Sequence, residues 1–195
     1  MDKNVILEGI VTTKNLDGTP NVSPMGPLVD EEMREISLRP YQTSVTFHNL
    51  ARTGQGVFHV IDDVELLARA AINVWQEMPA TTPCRACDGF ILDVACRWYA
   101  LQVIDLDDSE ERTNILCKVV DQERLKDFFG FNRAKHAVIE AAILATRINF
   151  LPRHEIQRDF ARLSTLVEKT AGQQERRAFA ILSHYLDDHL PTAIS

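Results

Sequence analysis

The chain has 195 residues, with 28 acidic side chains against 21 lysines and arginines, which gives a formal net charge of −7. This acidic balance, with no basic run longer than Arg176-Arg177, excludes sequence-independent binding of nucleic acid, which needs clustered Lys and Arg. The composition, 45% hydrophobic and 25% charged, is that of a globular protein long enough to bury a substantial core.

No stretch of the sequence has the features of a membrane or export segment. Every apolar stretch is interrupted well short of the roughly 20 residues that a spanning helix needs. The N-terminus, Met1-Asp2-Lys3-Asn4, is not followed by the long apolar region of a signal peptide. The sequence therefore predicts a cytoplasmic protein whose four cysteines are reduced thiols and which binds neither membrane nor nucleic acid.

The first two-thirds of the chain is rich in strand patterns. Val5 to Thr13 carries β-branched residues and stops before Asp17-Gly18, a pair that favours a tight hairpin turn. Prolines at positions 20, 24 and 27 each remove a backbone donor. Residues 20–29 are therefore predicted to be an irregular edge segment whose backbone groups stay free.

The next elements are predicted from periodicity and turn residues. Strands are expected at 34–39, 55–61, 90–105 and 113–120, helices at 43–51 and 63–73 (with Asp63 as the N-cap), and a loop at 79–89. Short strands separated by tight turns predict a small antiparallel barrel.

From Asp121 onward the apolar period changes to 3.6 residues. One stripe, with Asn132 as its predicted N-cap, joins Ala134, Ala137, Val138, Ala141, Ala145 and Ile148. A second runs from Ile156 to Val167 and is predicted to end at Gly172, and a third runs from Phe179 to Leu186 before Pro191. The pattern predicts three helices with short connections.

The sequence contains one cysteine motif and six dispersed histidines that could serve chemistry or structure. Cys84-Arg85-Ala86-Cys87 is a Cys-x-x-Cys pair, but structural zinc needs two further ligands and a thioredoxin-type pair opens a helix. We interpret it as a loop pair, keep a zinc or redox role as the alternative, and predict no metal site. The dispersed histidines are interpreted as surface or capping residues, and the glycine fingerprints of Rossmann and P-loop nucleotide sites are missing from the sequence.

Residues 37–50 concentrate hydroxyl groups, one arginine and one asparagine at a predicted strand-to-helix junction. A helix N-terminus presents free N–H groups and a positive dipole end, so flanking Thr and Arg side chains would complete a phosphate site. The alternative is that Thr43 or Ser44 only caps the short helix.

Three blocks of the sequence resemble a known superfamily. Val11-Thr12-Thr13 through Asp17-Gly18 to Asn21-Val22-Ser23-Pro24-Met25-Gly26 resembles the opening hairpin of the flavin-reductase-like, FMN-binding split-barrel proteins. Residues 43–60 resemble their next block, a Thr-rich turn, a short helix and a strand. More closely, the chain resembles a small uncharacterised family known mainly from archaea, and Phe131-Asn132-Arg133-Ala134-Lys135 resembles the opening of that family's C-terminal helical region.

This resemblance implies a fold, a cofactor and an assembly. The fold is α+β, with an FMN-binding split barrel of about six antiparallel strands in residues 1–125 and a three-helix region in residues 126–195. The cofactor is FMN, held at the interface of a homodimer. By position, the residues along the flavin ring are Ser23, Met25 and Gly26; those around the phosphate are Arg39, Thr43, Thr46 and Asn49; and those near the flavin or the second subunit are Asn132 and Arg133.

Three functions remain open from the sequence. The leading hypothesis is an FMN-dependent oxidoreductase of unknown substrate and electron donor, in which the cofactor performs the redox chemistry and no catalytic side chain is assigned. The second is a non-catalytic flavin-binding or sensing protein whose helical region docks a partner. The third is a zinc-dependent module built on Cys84 and Cys87.

Overall fold

A computed structural model describes residues 5–190, and it has an α+β fold with an antiparallel sheet curled into a half-barrel and a helical C-terminal region. The elements in chain order are β1 (Val5–Ile6), β2 (Gly9–Lys14), β3 (Pro20–Met25), β4 (Leu28–Val29), β5 (Glu35–Leu38), α1 (Val45–Thr53), β6 (Gln55–Val60), α2 (Val64–Ile72), β7 (Thr81–Pro83), β8 (Phe90–Leu92), β9 (Arg97–Asp107), β10 (Asn114–Arg124), α3 (Arg133–Ala145), α4 (Arg153–Thr170) and α5 (Gln173–His189). The predicted fold class is confirmed.

Eight strands form one antiparallel sheet in the order β1-β4-β5-β10-β9-β6-β2-β3, and β7 and β8 form a separate ribbon. The Asp17-Gly18 hairpin is confirmed: the Gly18 N–H donates to the Asn15 carbonyl over 3.0 Å, and Gly18 has a φ of 84°, which favours glycine. β3 is an edge strand, as predicted. It nevertheless pairs with β2 along all six of its residues, so the expectation of an unpaired backbone was wrong. Proline is tolerated there because an edge strand bonds on one side only.

The main core of the barrel unit lies on one face of the sheet, where α1 packs against it. This cluster consists of Val11, Val29, Ile36, Leu38, Phe47, Leu50, Phe58, Tyr99, Leu101, Ile115 and Cys117. The opposite face of β6 and β9 contributes Val57, Trp98 and Ala100 to a second cluster, which Cys84 from the loop of the β7–β8 ribbon completes. β6 is therefore covered on both faces.

Three of the predicted boundaries differ from the structure. Residues 79–89 contain β7 rather than loop alone, and the predicted strand over 90–105 is interrupted by a turn between β8 and β9. Val94 lies in that turn with 37% of its surface exposed, so the alternation that included it does not continue. β10 extends to Arg124, past the point where the helical period was predicted to begin.

The chain divides into two compact units. The first holds residues up to Ile61 together with Pro79–Phe128, and the second holds Asp62–Met78 and the residues from Phe129 onward. Residues 62–78, within the predicted 1–125 domain, thus group with the helical unit.

In the helical unit, the predicted stripe of α3 is buried at every position, and the caps of α2 and α3 are Asp63 and Asn132, as predicted. Gly172, predicted to end α4, instead occupies the N-cap of α5. Pro191 lies outside the described residues. None of the helices within residues 5–190 is long and apolar enough to cross a bilayer.

Candidate functional site

The N-terminus of α1 is the predicted anion site, and the structure shows how it is built. Ser44 is the N-cap, and its side-chain oxygen accepts a hydrogen bond from the Phe47 N–H over 3.1 Å. The capping alternative is therefore confirmed for Ser44. The cap satisfies one donor only, because the first N–H groups of a helix, here those of Val45 and Thr46, have no acceptor inside the helix. Thr43 is exposed just before the cap.

A buried polar network joins α1 to the β2–β3 hairpin. The side-chain amide of Asn21 on β3 donates to the hydroxyl oxygens of Thr13 and Thr46, each over 3.1 Å. The amide of Asn49 donates to Thr13 over 3.1 Å and to the Asn15 side-chain oxygen over 2.9 Å. Thr46 and Asn49 are thus engaged within the unit, and their shared partners fix the helix on the hairpin.

The network also includes a cation at the far end of α1. The guanidinium of Arg52 donates to the Asn49 side-chain oxygen over 3.2 Å and to the Lys14 carbonyl. Asn49 is 4% exposed and Thr13 is fully buried, so each bond replaces one that water would otherwise make. Thr46 and Asn49, two of the residues predicted to surround the phosphate, therefore hold α1 against the β2–β3 hairpin.

Arg39 has a different environment from Thr46 and Asn49. It directly follows β5, and its Nε atom is buried without a hydrogen-bond partner among the described residues. None of the ion pairs found in residues 5–190 involves its guanidinium, whereas its carbonyl accepts from Arg112 over 3.3 Å. A buried charged donor that lacks an acceptor is costly, and an anionic oxygen is its strongest partner.

The predicted ring-contacting residues lie on and after β3. Ser23 and Met25 share the face of β3 that carries Asn21, because strand side chains alternate with a period of two. Met25 packs against the main core, and Ser23 is half-buried opposite Val11. Gly26 follows; a Cβ there would lie 2.7 Å from a carboxylate oxygen of Glu8 and 2.8 Å from a methyl carbon of Ile6, so these two side chains would have to shift to admit one.

Asn132 and Arg133 belong to the helical unit. The Asn132 side-chain oxygen accepts from the N–H groups of Ala134 and Lys135 over 2.8 and 3.2 Å, and its amide donates to the Thr170 carbonyl. Asn132 thus serves as the cap of α3, and Arg133 is exposed. Within the barrel unit, hydrogen bonds join Asn21, Thr46 and Asn49 through Thr13, and among the described residues no such bond links them to the side chains of Arg39 or Thr43.

One buried polar residue was missed by the sequence analysis. His59 on β6 is fully buried, not a surface or capping residue: its Nδ1 lies 3.1 Å from the Ile10 carbonyl and its Nε2 lies 3.1 Å from the Leu92 N–H. The carbonyl accepts and the N–H donates, so the ring is neutral with its proton on Nδ1. Burial lowers the pKa of His59 to about 4, which keeps it neutral.

Comparison with known proteins assigns the family. A family model described as the N-terminal domain of a protein of unknown function, DUF447, matches residues 7–126, and the DUF447 C-terminal model matches residues 132–184. The chain belongs to the DUF447 family. A search of curated proteins found no match.

Solved structures share the fold. An FMN-bound DUF447 protein from Methanosarcina mazei superposes with a TM-score of 0.77 at 22% identity, over 94% of this chain and 96% of that one. The 2-nitrobenzoate 2-nitroreductase of Pseudomonas fluorescens gives 0.51 at 15% identity, over 61% of this chain and 64% of its own. The styrene monooxygenase flavin reductase of Pseudomonas putida gives 0.50 at 13% identity, over 61% and 80%.

Proposed function

We propose that this DUF447 protein binds FMN in its barrel unit and uses it as an oxidoreductase cofactor. The observation that carries the proposal is the FMN-bound Methanosarcina mazei protein, which belongs to the same family and matches this chain over 94% of its length. The nitroreductase and flavin reductase that share the barrel support a redox role. When bound, FMN supplies hydride or single-electron transfer, and the protein supplies binding and orientation.

The residues at the candidate site fit a phosphate group. The buried Nε of Arg39 needs an acceptor, and the first turn of α1 offers two backbone N–H groups and the positive end of its dipole. Thr43, exposed before the N-cap, adds a hydroxyl donor. In this proposal Arg39 and the α1 N-terminus bind the phosphate, while Thr46 and Asn49 hold the helix in place.

The ring of the flavin would lie along β3 and the residues that follow it. β3 is an edge strand, so one side of its backbone faces away from β2. Because Pro24 has no N–H, the register makes Ser23 and Met25 the residues that bond to β2, and the groups that face away are the N–H and C=O of Val22 and the carbonyl of Pro24. Ser23 and Met25 would then meet the flavin through their side-chain face, and Gly26 through the chain that follows β3. Asn132 and Arg133 remain proposed contacts of the flavin or of the second subunit, although the Asn132 side chain already caps α3.

The first test is the cofactor and its phosphate contact. Flavin released from the purified protein is expected to co-elute with FMN, and Arg39→Ala is expected to weaken FMN binding about ten- to a hundredfold, the loss of one charge-assisted contact. Arg34→Ala is the matched control, because that guanidinium is exposed and pairs with Glu32. Recovery of FAD alone, or unchanged FMN affinity in a folded Arg39→Ala variant, contradicts this assignment.

The second test concerns turnover. The FMN-loaded protein is expected to oxidise NADH or NADPH in molar excess over itself when an electron acceptor is present. A protein that retains FMN but oxidises neither donor supports the alternative function, a flavin-binding protein without catalysis.

A further inference from the structure

The loop that joins β7 to β8 holds two cysteines, Cys84 and Cys87, in a closed turn. The Cys84 N–H donates to the Gly89 carbonyl over 2.9 Å, and the Gly89 N–H donates to the Cys87 carbonyl over 3.0 Å. Both cysteines are free thiols in the structure. The hairpin therefore fixes the two residues on one short, hydrogen-bonded segment.

The two cysteines lie against the same apolar cluster. The Cys87 thiol donates to the Gly56 carbonyl on β6 over 3.7 Å, and, besides burial, Cys84 is among the groups that raise the pKa of Cys87. Cys84 belongs to the cluster that contains Val57 and Trp98, and Cys87 packs against that cluster. Cys84 is 9% exposed, whereas Cys87 is half-buried, so Cys87 is the thiol that a reagent reaches first.

Contacts outside the loop hold the pair in this position. Asp88, next to Cys87, forms an ion pair with Lys14 at 2.7 Å, and its N–H donates to the Gln55 side-chain oxygen over 2.6 Å. A Cβ on Gly89 would lie 3.2 Å from the Cys87 sulfur and 3.0 Å from Val57. Glycine at this position leaves room for the sulfur beside β6.

We propose that Cys84 and Cys87 form a dithiol–disulfide site that exchanges with low-molecular-weight disulfides of the glutathione class. The inference is independent of the FMN proposal, because it rests on the β7–β8 loop and its contacts with β2, β6 and β9, and not on the residues proposed to bind flavin. A zinc site is the poorer explanation: no group of three or more His, Cys, Asp or Glu side chains suited to one metal ion occurs in residues 5–190.

The exchange balances as two successive thiol–disulfide steps. Cys87 gives up its proton and attacks the small disulfide, which forms a mixed disulfide and releases one small thiol carrying a proton. Cys84 then gives up its proton and attacks the Cys87 sulfur, which forms the Cys84–Cys87 bond and releases the second thiol. The protein loses two hydrogens and two electrons, and the small disulfide is reduced to two thiols.

The surroundings of the two thiols favour the disulfide over the reduced dithiol at equilibrium. Oxidising Cys-x-x-Cys pairs are those whose reduced thiolate is stabilised by positive charge or a helix N-terminus. Here burial, with contributions from Cys84 and Asp88, raises the pKa of Cys87 to about 12. The reduced form gains no thiolate stabilisation, so we expect slow oxidation and a reducing couple.

The test is a redox titration of the full-length protein. After equilibration in glutathione buffers of increasing oxidised fraction, free thiols are alkylated and the protein is digested with trypsin, which cuts after Arg85 and separates Cys84 from Cys87. A disulfide-linked peptide pair with Cys96 alkylated is the expected product. Cys84→Ser is expected to trap one glutathione on Cys87, and Cys117→Ala, at a fully buried thiol in β10, is expected to leave the linked pair intact.

A spectroscopic signal reports the same event. Disulfides quench indole emission at short range, and Trp98 lies in the cluster that contains Cys84. In a Trp75→Phe background, which leaves Trp98 as the only tryptophan, oxidation is expected to lower the emission reversibly. The proposal is overturned if both thiols of the folded protein stay alkylatable in the most oxidised buffer, or if the linked cysteines are any other pair.

Discussion

A single buried histidine connects the barrel strands with the ribbon that covers them. His59 on β6 bonds β2 through the Ile10 carbonyl and β8 through the Leu92 N–H. The bond from Leu92 needs the neutral ring, because a proton on Nε2 would turn that acceptor into a second donor facing an N–H, whereas the Nδ1–H bond to Ile10 survives protonation. The ring therefore makes the barrel unit sensitive to acid.

His59→Gln is expected to destabilise the protein more at pH 8 than at pH 5. The unfolded chain takes up a proton near pH 6.5 and the folded chain only near its pKa of about 4. The contribution of His59 is thus complete above pH 6.5 and declines as the pH falls toward 4. Urea denaturation should show the difference between wild type and variant shrinking by about 2 kcal/mol between pH 8 and pH 5.

His154→Gln, at an exposed position of α4, is the matched control and is expected to leave the free energy of unfolding unchanged at both pH values. A difference for His59→Gln that stays constant with pH would mean that His59 has the same pKa in the folded and unfolded states, which contradicts the lowering of its pKa by burial.

The environments of His59 and Arg39 show what the sequence could and could not reveal. The run Gly56 to Ile61 is apolar apart from His59, a pattern typical of a strand buried on both faces, so the burial of the ring had a signal that was not used. The residue type and position of Arg39 predict a phosphate contact. Its unpartnered Nε depends on which distant side chains surround it, and no local pattern encodes that.

At the scale of elements, α2 is a helix inserted between two barrel strands that belongs to the helical unit. Its apolar face buries Leu67 and Ala68. Glu65 accepts hydrogen bonds from Arg69 on the same helix over 3.0 Å and from Arg177 on α5 over 2.9 Å. Burial alone would raise the pKa of Glu65, but these two bonds lower it below its usual value.

Leu67→Ala is expected to cost about 2–5 kcal/mol, the usual range for a buried leucine that leaves a cavity. Because Leu67 packs within the helical unit, hydrogen exchange should accelerate in α3 and α5 and stay slow in β6 and β9. Leu16→Ala is the same substitution at an 87% exposed turn position and should change neither. Equal acceleration in β6 and β9 would show that the two units open as one.

The helices were more predictable than the strands, for a physical reason. The predicted stripe of α3 repeats over more than three turns and all of its members are buried, although Ile148 lies in the turn past the end of the helix. β7 and β8 have three residues each, and a period of two cannot be established over so short a length. Residues 93–96 continue the apolar alternation of the strands on either side although they form a turn. The sequence pattern therefore does not show the break between β8 and β9.

At the scale of the whole molecule, the sheet has two edges. β1 and β3 stand at its ends, and each pairs on one side only. Val5 and Ile6 on β1 are 56% and 55% exposed. Open edges with exposed apolar side chains are places where another chain can add, and the proposed flavin ring would lie along the β3 edge.

We therefore propose a homodimer in which both chains contribute to each FMN site, and predict that dissociation and flavin loss are linked. A ligand that binds only the dimer stabilises it by mass action. Sedimentation at low micromolar concentration should show a species of about 44 kDa, twice the chain mass of 22.1 kDa, that carries the flavin absorbance. Dilution without added FMN should release monomer and free flavin together, and excess FMN should shift dissociation to lower protein concentration. A monomer that keeps one FMN per chain would contradict the shared site while leaving FMN binding intact, because the Arg39 and α1 contacts come from a single chain.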